Sequence, residues 1–368
     1  MWAERDGGDG PGLVRRTASR NLRDNPSMQP TMSIPSISVC IITRNRAESL
    51  SQCLRCIALQ THPAEEIVIV DNSTNFATRD IVKEQLPSAR YIHAPVPLGS
   101  FPTLRNIALK HASADIVAIT DDDCYPQPSW LAALLRCYAP GVGAVGGRVV
   151  EGRTDEGRGP CRPVVGILTP LRGAIGNFNA VWPEPFEVDH IPGGNMSFRR
   201  EVLIQAGGWD SMLESGYAPY EETELCLRVK RLGYRVIYAP DAVVRDGLVP
   251  REGGFTRDVG RSSPRLAYSV SRNAAYMILK NYRASPSVLI GAGVLAPVVN
   301  VKRLFFPKAP GMPRRFALSI SRLLAAAGIA AGHVAGLYSL LRLHRRRDAN
   351  AWPRLRFCPV PPKALPPA

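Results

Sequence analysis

Three times within its first 121 residues the chain runs through a short stretch rich in Ile and Val and stops on a polar or acidic side chain. Residues 37–42 lead to Thr43, 65–70 to Asp71, and 116–119 to Thr120-Asp121. Apolar runs this short and this β-branched mark strands buried on both faces. Amphipathic segments predict helices at 47–60, 77–85 and 103–112, the last opened by Gly99-Ser100-Phe101-Pro102, with a further strand at 89–93. Strands alternating with helices form βαβ units and a mainly parallel sheet. In such sheets ligands bind just beyond the carboxyl ends of the strands. One crevice lined by Thr43, Asp71 and Asp121 is therefore expected.

Asp121 opens the triplet Asp121-Asp122-Asp123. Adjacent like charges are costly unless a cation neutralises them. At a strand end the triplet suggests a divalent metal holding a phosphorylated ligand; a solvated acidic turn is the alternative.

The remaining chain supplies a helix at 130–137, a strand at 142–150 and an irregular stretch, 152–187, rich in Gly, Pro and Arg. That stretch is expected to be a long loop over the site or an acceptor-binding insert. Patterning resumes at Gly193-Gly194-Asn195-Met196-Ser197-Phe198-Arg199-Arg200. A helix at 221–232 ended by Gly233 follows, then a strand at 235–238 and a segment 241–245 leading to Asp246. Beyond Ser263, helices are expected at 268–282 and in the apolar stretches 288–301 and 323–341. The 19-residue stretch 323–341 is barely long enough to span a bilayer and is weakly hydrophobic. Helices lying in the membrane interface are favoured over a single C-terminal span.

The net charge of +15 is unevenly placed. Residues 301–368 hold 13 Lys and Arg against one acid, Asp348, a net +12, which leaves +3 for the first 300 residues. A basic segment beside apolar helices suits an anionic membrane surface, and no nucleic-acid-binding module is present, so nucleic acid is not an expected partner. Among eight cysteines, Cys53-x-x-Cys56 falls within a helix and reads as packed thiols rather than a redox or metal pair. With no secretory leader pattern, reduced thiols imply a cytoplasmic protein. The expected organisation is a disordered segment 1–35, an α/β catalytic domain 36–255, a membrane-associating helical region 256–350 and a Pro-rich tail 351–368.

The ordered set Ser38-Val39-Cys40-Ile41-Ile42-Thr43-Arg44-Asn45-Arg46, Ile69-Val70-Asp71-Asn72-Ser73, Leu104-Arg105-Asn106, Thr120-Asp121-Asp122-Asp123, Gly207-Gly208-Trp209-Asp210 and Tyr220-Glu221-Glu222-Thr223-Glu224-Leu225-Cys226-Leu227-Arg228 resembles the family 2 glycosyltransferases. They share the GT-A fold, a Rossmann-like α/β architecture. The resemblance spans residues 37–250. It implies that Thr43, Arg44, Asn45, Asp71 and Arg105 bind the nucleotide of a UDP-, dTDP- or GDP-linked sugar. Arg44 stands where an aromatic residue is common, and Asp71 would meet the base. Asp121, Asp122 and Asp123 would be the DxD motif, its outer pair contacting ribose and a Mg2+ or Mn2+ ion that offsets the charge of the departing diphosphate.

Glu221-Glu222 falls where the family usually has Glu-Asp, the second member being the general base of an inverting transfer. Glu222 is the first choice for that role and Glu221 the second; an exposed acidic helix start is the plainer reading. Many relatives carry a His two residues after the position of Val244; here Arg245-Asp246 follows. Asp246 is either a metal ligand or the partner of Arg245. The implied activity is metal-dependent sugar transfer to a lipid-linked or cell-surface glycan, at the cytoplasmic face of a membrane. The competing readings are a catalytically impaired nucleotide-sugar-binding relative and a nucleotidyltransferase.

Overall fold

The computed structural model describes residues 34–151, 164–169, 173–214, 218–249, 264–281 and 327–338. Strands β1 (Ile37–Thr43), β2 (Glu66–Asp71) and β4 (Ile116–Asp121) pair in parallel, with β3 (Arg90–His93) on the outer edge of β2. Every residue of β1 is buried, as its unbroken apolar run requires of a central strand. Successive β1 side chains point to opposite faces. Val39 and Ile41 pack beneath helices α1 (Ala47–Ala58), α2 (Ala77–Gln85) and α4 (Trp130–Leu135). Cys40 and Ile42 pack beneath α3 (Phe101–His111), α5 (Arg200–Ala206) and α6 (Glu221–Arg231). Helices thus cover both faces, as expected.

The other half of the sheet departs from the expected pattern. β10 (Asn195–Arg199) inserts antiparallel between β4 and β6 (Val142–Glu151). β6 then pairs in parallel with β11 (Arg235–Asp246), one 12-residue strand in place of two short segments. A three-residue strand, β5 (Cys124–Pro126), lies antiparallel along the far end of β11. The described parts of 152–187 are not pure loop: β7 (Ile167–Thr169) and β8 (Gly173–Ile175) pair with each other, and β9 (Phe186–Glu187) pairs with β11. Strands of two or three residues have too few positions to show a period of two, which is why the sequence pattern conceals them.

β11 continues because a bulge absorbs its break. Ala239 pairs with Gly147 and Val243 with Arg148, leaving 240–242 unmatched. Asn195, fully buried, fastens the bulge. Its Nδ2 donates to the Ala242 carbonyl (2.8 Å) and the Arg148 carbonyl (3.0 Å), and its Oδ1 accepts from Trp130 Nε1 (2.8 Å). This carries the end of β11 back to the tip of β4.

Helix α7 (Pro264–Asn281) matches the helix expected at 268–282 and packs on α6 through Met277, Ile278 and Leu227. Of the expected span 323–341, residues 327–338 are described. They form a helix that meets α7 closely: a Cβ on Gly336 would lie 2.6 Å from the Arg272 carbonyl. Among the described residues no helix is long and apolar enough to cross a membrane. The stretches 1–33, 288–301 and 351–368 fall outside the described residues. The six described cysteines are all unpaired, Cys53 and Cys56 included.

A Cβ on Gly147 would run into the Ala242 carbonyl and reach 2.6 Å from Asn195 Nδ2. Gly147→Ala is therefore expected to lower stability by about 1–3 kcal/mol, read as a fall in the urea midpoint at unchanged slope.

Candidate active site

The parallel register sets Thr43 beside Asp71 and Ile42 beside Asp121, so the three strand ends share one crevice, as their polar terminators suggested. Beyond β4 the chain turns through Asp122 and Asp123 into β5. The turn splits the acid triplet. Asp122 points inward: its Oδ2 accepts from Thr43 Oγ1 (2.7 Å) and Arg46 Nε (3.2 Å), and its Oδ1 is ion-paired with the same guanidinium. Arg46 also pairs with Asp123 at 2.8 Å. Asp121, Asp123 and Cys124 each present one ligand atom, all within 4.8 Å of one another. The Cys124 thiol is pushed well up, by burial first and then by Asp121, Asp123 and Asp246, which leaves the carboxylates as the hard donors. Asp246 lies in register with Cys124 but outside that trio, and its Oδ1 caps Leu248 N at 2.9 Å.

The loops after β1 and β2 are stitched together. Asn45, held at φ +51°, donates its N–H to Ser73 Oγ (2.7 Å) and accepts from Thr74 N (2.9 Å), while Arg44 donates to the Asn72 carbonyl (2.7 Å). Asp71 is fully buried, accepting from Ser73 N (2.8 Å) and the Tyr91 hydroxyl (2.6 Å). The Tyr91 phenol is correspondingly pushed up, by burial and then by its bond to Asp71 and that charge.

Across the crevice, α6 starts at Glu221 after Tyr220, which adopts a left-handed conformation (φ +70°). Acidic residues in the first turn suit the positive end of the helix dipole. Glu221 is buried in an ion pair with Arg105 of α3, whose other arm reaches Asp121 Oδ1 at 3.4 Å. Glu222 is half-buried, and its pKa is raised. Burial is the main cause, opposed by its own backbone N–H, Arg105 and the Thr223 hydroxyl, and reinforced by Asp121.

Gly193 and Gly194 floor the space between. A Cβ on Gly193 would lie 3.7 Å from the Arg105 guanidinium and 3.8 Å from Glu222 Oε2. One on Gly194 would lie 2.9 Å from Cys124 Sγ and 3.7 Å from Asp121 Oδ2. Asp121, the bridging Arg105 and Glu222 thus face one small bare patch of backbone.

Residues 38–207 match the model of the family described as Glycosyl transferase family 2. Glycosyltransferase AglE of Haloferax volcanii is 32% identical over 221 residues, which cover 58% of this chain and 67% of that protein. The chain belongs to glycosyltransferase family 2. The glucosyl-dolichyl phosphate glucuronosyltransferase of the same organism is 27% identical over 238 residues, 62% of this chain and 73% of that one. Among solved structures, the mannosyltransferase PcManGT of Pyrobaculum calidifontis, in complex with GDP-Man and Mn2+, superposes with a TM-score of 0.51 at 20% identity, covering 84% of this chain and 88% of its own. GalNAc-T7 with UDP, GalNAc and Mn2+ gives 0.56 at 14% identity, covering 84% and 57%. The fold of this glycosyltransferase is GT-A.

Of the site residues expected from the sequence, Arg105 joins Asp121 to Glu221, Glu222 lies across Gly193 from Arg105, Asp123 clusters with Asp121, and Thr43 binds Asp122. Asp71, Arg44 and Asn45 lie on the adjoining strand end and loops, and Asp246 lies in register with Cys124 outside the trio. Sequence reasoning missed Arg46, Tyr91, Asn195 and the glycine floor. Arg46 had a signal: a cation three residues past a strand end that must share a crevice with three carboxylates. Tyr91 had none, because an aromatic residue on an edge strand is ordinary. Thr43→Val is expected to leave Asp122 short of one buried donor and to cost about 1–3 kcal/mol in a urea titration.

Proposed function

We propose that this glycosyltransferase moves a sugar from a nucleotide-diphosphate donor to an acceptor hydroxyl with inversion, Glu222 acting as base. The observation that carries the reading is the placement of the Glu222 carboxylate across Gly193 from Arg105, which itself reaches Asp121. Sugar, base and diphosphate site need to meet within one such span for in-line displacement. Glu222 takes the proton of the acceptor hydroxyl as its oxygen attacks the anomeric carbon; the bond from that carbon to the diphosphate oxygen breaks on the opposite face. Glu221 is the weaker choice, because its carboxylate is committed to Arg105.

The paired oxygens of Asp121 and Asp123 fit a hard divalent cation, Mg2+ or Mn2+. Bound there, the ion would neutralise charge on the departing diphosphate. Arg46 and Arg105 hold the carboxylates against mutual repulsion and would also meet the donor phosphates. Asp71, oriented by Tyr91, would accept from the nucleobase, and Thr43, Arg44 and Asn45 shape the wall around it. One relative is named for glucosyl-dolichyl phosphate, and residues 301–368 are strongly basic. Both support a lipid-linked glycan acceptor at the anionic cytoplasmic face of a membrane.

Transfer or donor hydrolysis measured with UDP-, dTDP- and GDP-sugars should select one nucleotide, stop with EDTA and return with Mn2+ or Mg2+. Absence of binding to every donor, with or without metal, would sink the reading. Glu222→Gln should lower kcat by about 10²–10⁴. Because the folded pKa of Glu222 lies above its ordinary 4.5, ionising it in the fold opposes stability, and that cost grows as pH rises from about 4.5 through the raised value. Glu222→Gln should therefore match or exceed the parent in stability at pH 7, and the gain should vanish below about pH 4.5. The kcat profile of the parent should fall on the acid side as Glu222 takes up a proton.

A further inference from the structure

The backbone entering the catalytic helix is held in an unfavourable form. Ala218 (φ +47°) and Tyr220 (φ +70°) are both left-handed without being glycine, and such residues persist only where their surroundings over-determine them. The surroundings here come from α7, beyond the region that matches the family model. Asn273, fully buried on that helix, donates its Nδ2 to the carbonyl of Pro219 (3.0 Å) and to that of Leu213 (2.8 Å). Arg272 adds a bond to the Met212 carbonyl (2.8 Å). One and two turns further along α7, the Tyr276 hydroxyl and Lys280 Nζ reach Asp210 Oδ2 at 2.8 and 2.6 Å. Lys280 also pairs with Glu224 Oε1 (2.8 Å), three residues after Glu221 and fully buried. Burial pushes the Glu224 carboxyl up, but Arg228 and Lys280 outweigh it and hold the group down at about 2. The polar face of α7 is thus spent on the two segments that deliver Glu221-Glu222.

We propose that Asn273 is a positioning residue for catalysis: its bond to the Pro219 carbonyl holds the strained 218–220 backbone, its bond to the Leu213 carbonyl ties that segment to the end of residues 211–213, and together they set Glu222 over Gly193. The inference rests on the reading of Glu222 as base. It makes α7 part of the catalytic apparatus.

The test is a cycle of Asn273→Ala and Glu222→Gln in the full chain, with kcat, donor KM and the pH dependence of kcat as readouts. Asn273→Ala should lower kcat 10- to 100-fold on the order expected for a displaced catalytic group, leave nucleotide and Mn2+ affinity within about twofold, and shift the acid limb of the profile. In the Glu222→Gln background the same change should have no further effect. Asn273→Ser is the gentler variant, since its hydroxyl can bond back to the carbonyl four residues earlier on α7. It still lacks both donors and should show the same kcat loss if Asn273→Ala does not fold. A folded Asn273→Ala or Asn273→Ser with parental kcat and profile overturns the proposal, as does a loss that is equally large without Glu222. A fully active Glu222→Gln would instead overturn the base assignment, so the two failures are distinguishable.

Discussion

Five carboxylates converge on one end of this sheet, and the structure is organised around their neutralisation. Asp121, Asp122 and Asp123 leave β4 together, while Glu221 and Glu222 arrive on α6 from a hundred residues away. Mutual repulsion would scatter them in the absence of cations. Two arginines answer it from different directions: Arg46 at the exit of β1 binds Asp122 and Asp123, and Arg105 on α3 joins Asp121 to Glu221. Each is itself almost wholly buried, so its pairing is little screened by solvent. Removing either would leave buried charge uncompensated, which is far costlier than losing a surface pair.

Within this arrangement the triplet divides its labour. Asp122 is tied down by Thr43 and Arg46 and anchors the turn. Its neighbours Asp121 and Asp123 instead bring a carboxylate oxygen each close to Cys124. The turn at residues 122–123 makes this division, so three consecutive acids yield one internal brace and two carboxylates that share a cluster. A similar economy appears at α6, where Glu221 secures Arg105 and Glu222 keeps its carboxylate raised in pKa by burial.

The parallel half of the fold was legible because β1, β2 and β4 are central strands whose unbroken apolar runs end in polar residues at one level. Thr43, Asp71 and Asp121 announced the crevice for that reason. The antiparallel half was not, because its cues are local and ambiguous. Asn195 after two glycines looks like a turn residue, yet it starts a buried strand and holds the β11 bulge. The pair Asp241-Ala242 resembles a loop because the bulge takes it out of register with β6. Tyr91 and Asn273 act through hydrogen bonds to residues 20 and 54 positions away along the chain, a relation that no local spacing encodes.

The bulge at 240–242 has a mechanical consequence. It divides β11 into two lengths: Val236 and Tyr238 pack in the core on one face of the sheet, while beyond it Val244 packs on the other face and Arg245 and Asp246 pair with β5 beside the acid turn. Since the two lengths are joined through unmatched residues and a single asparagine, a sequence change in one need not be transmitted as a register slip to the other. The interior can therefore drift with ordinary packing constraints while the rim of the crevice keeps its alignment. The registers of the two ends are in this sense uncoupled along one continuous strand.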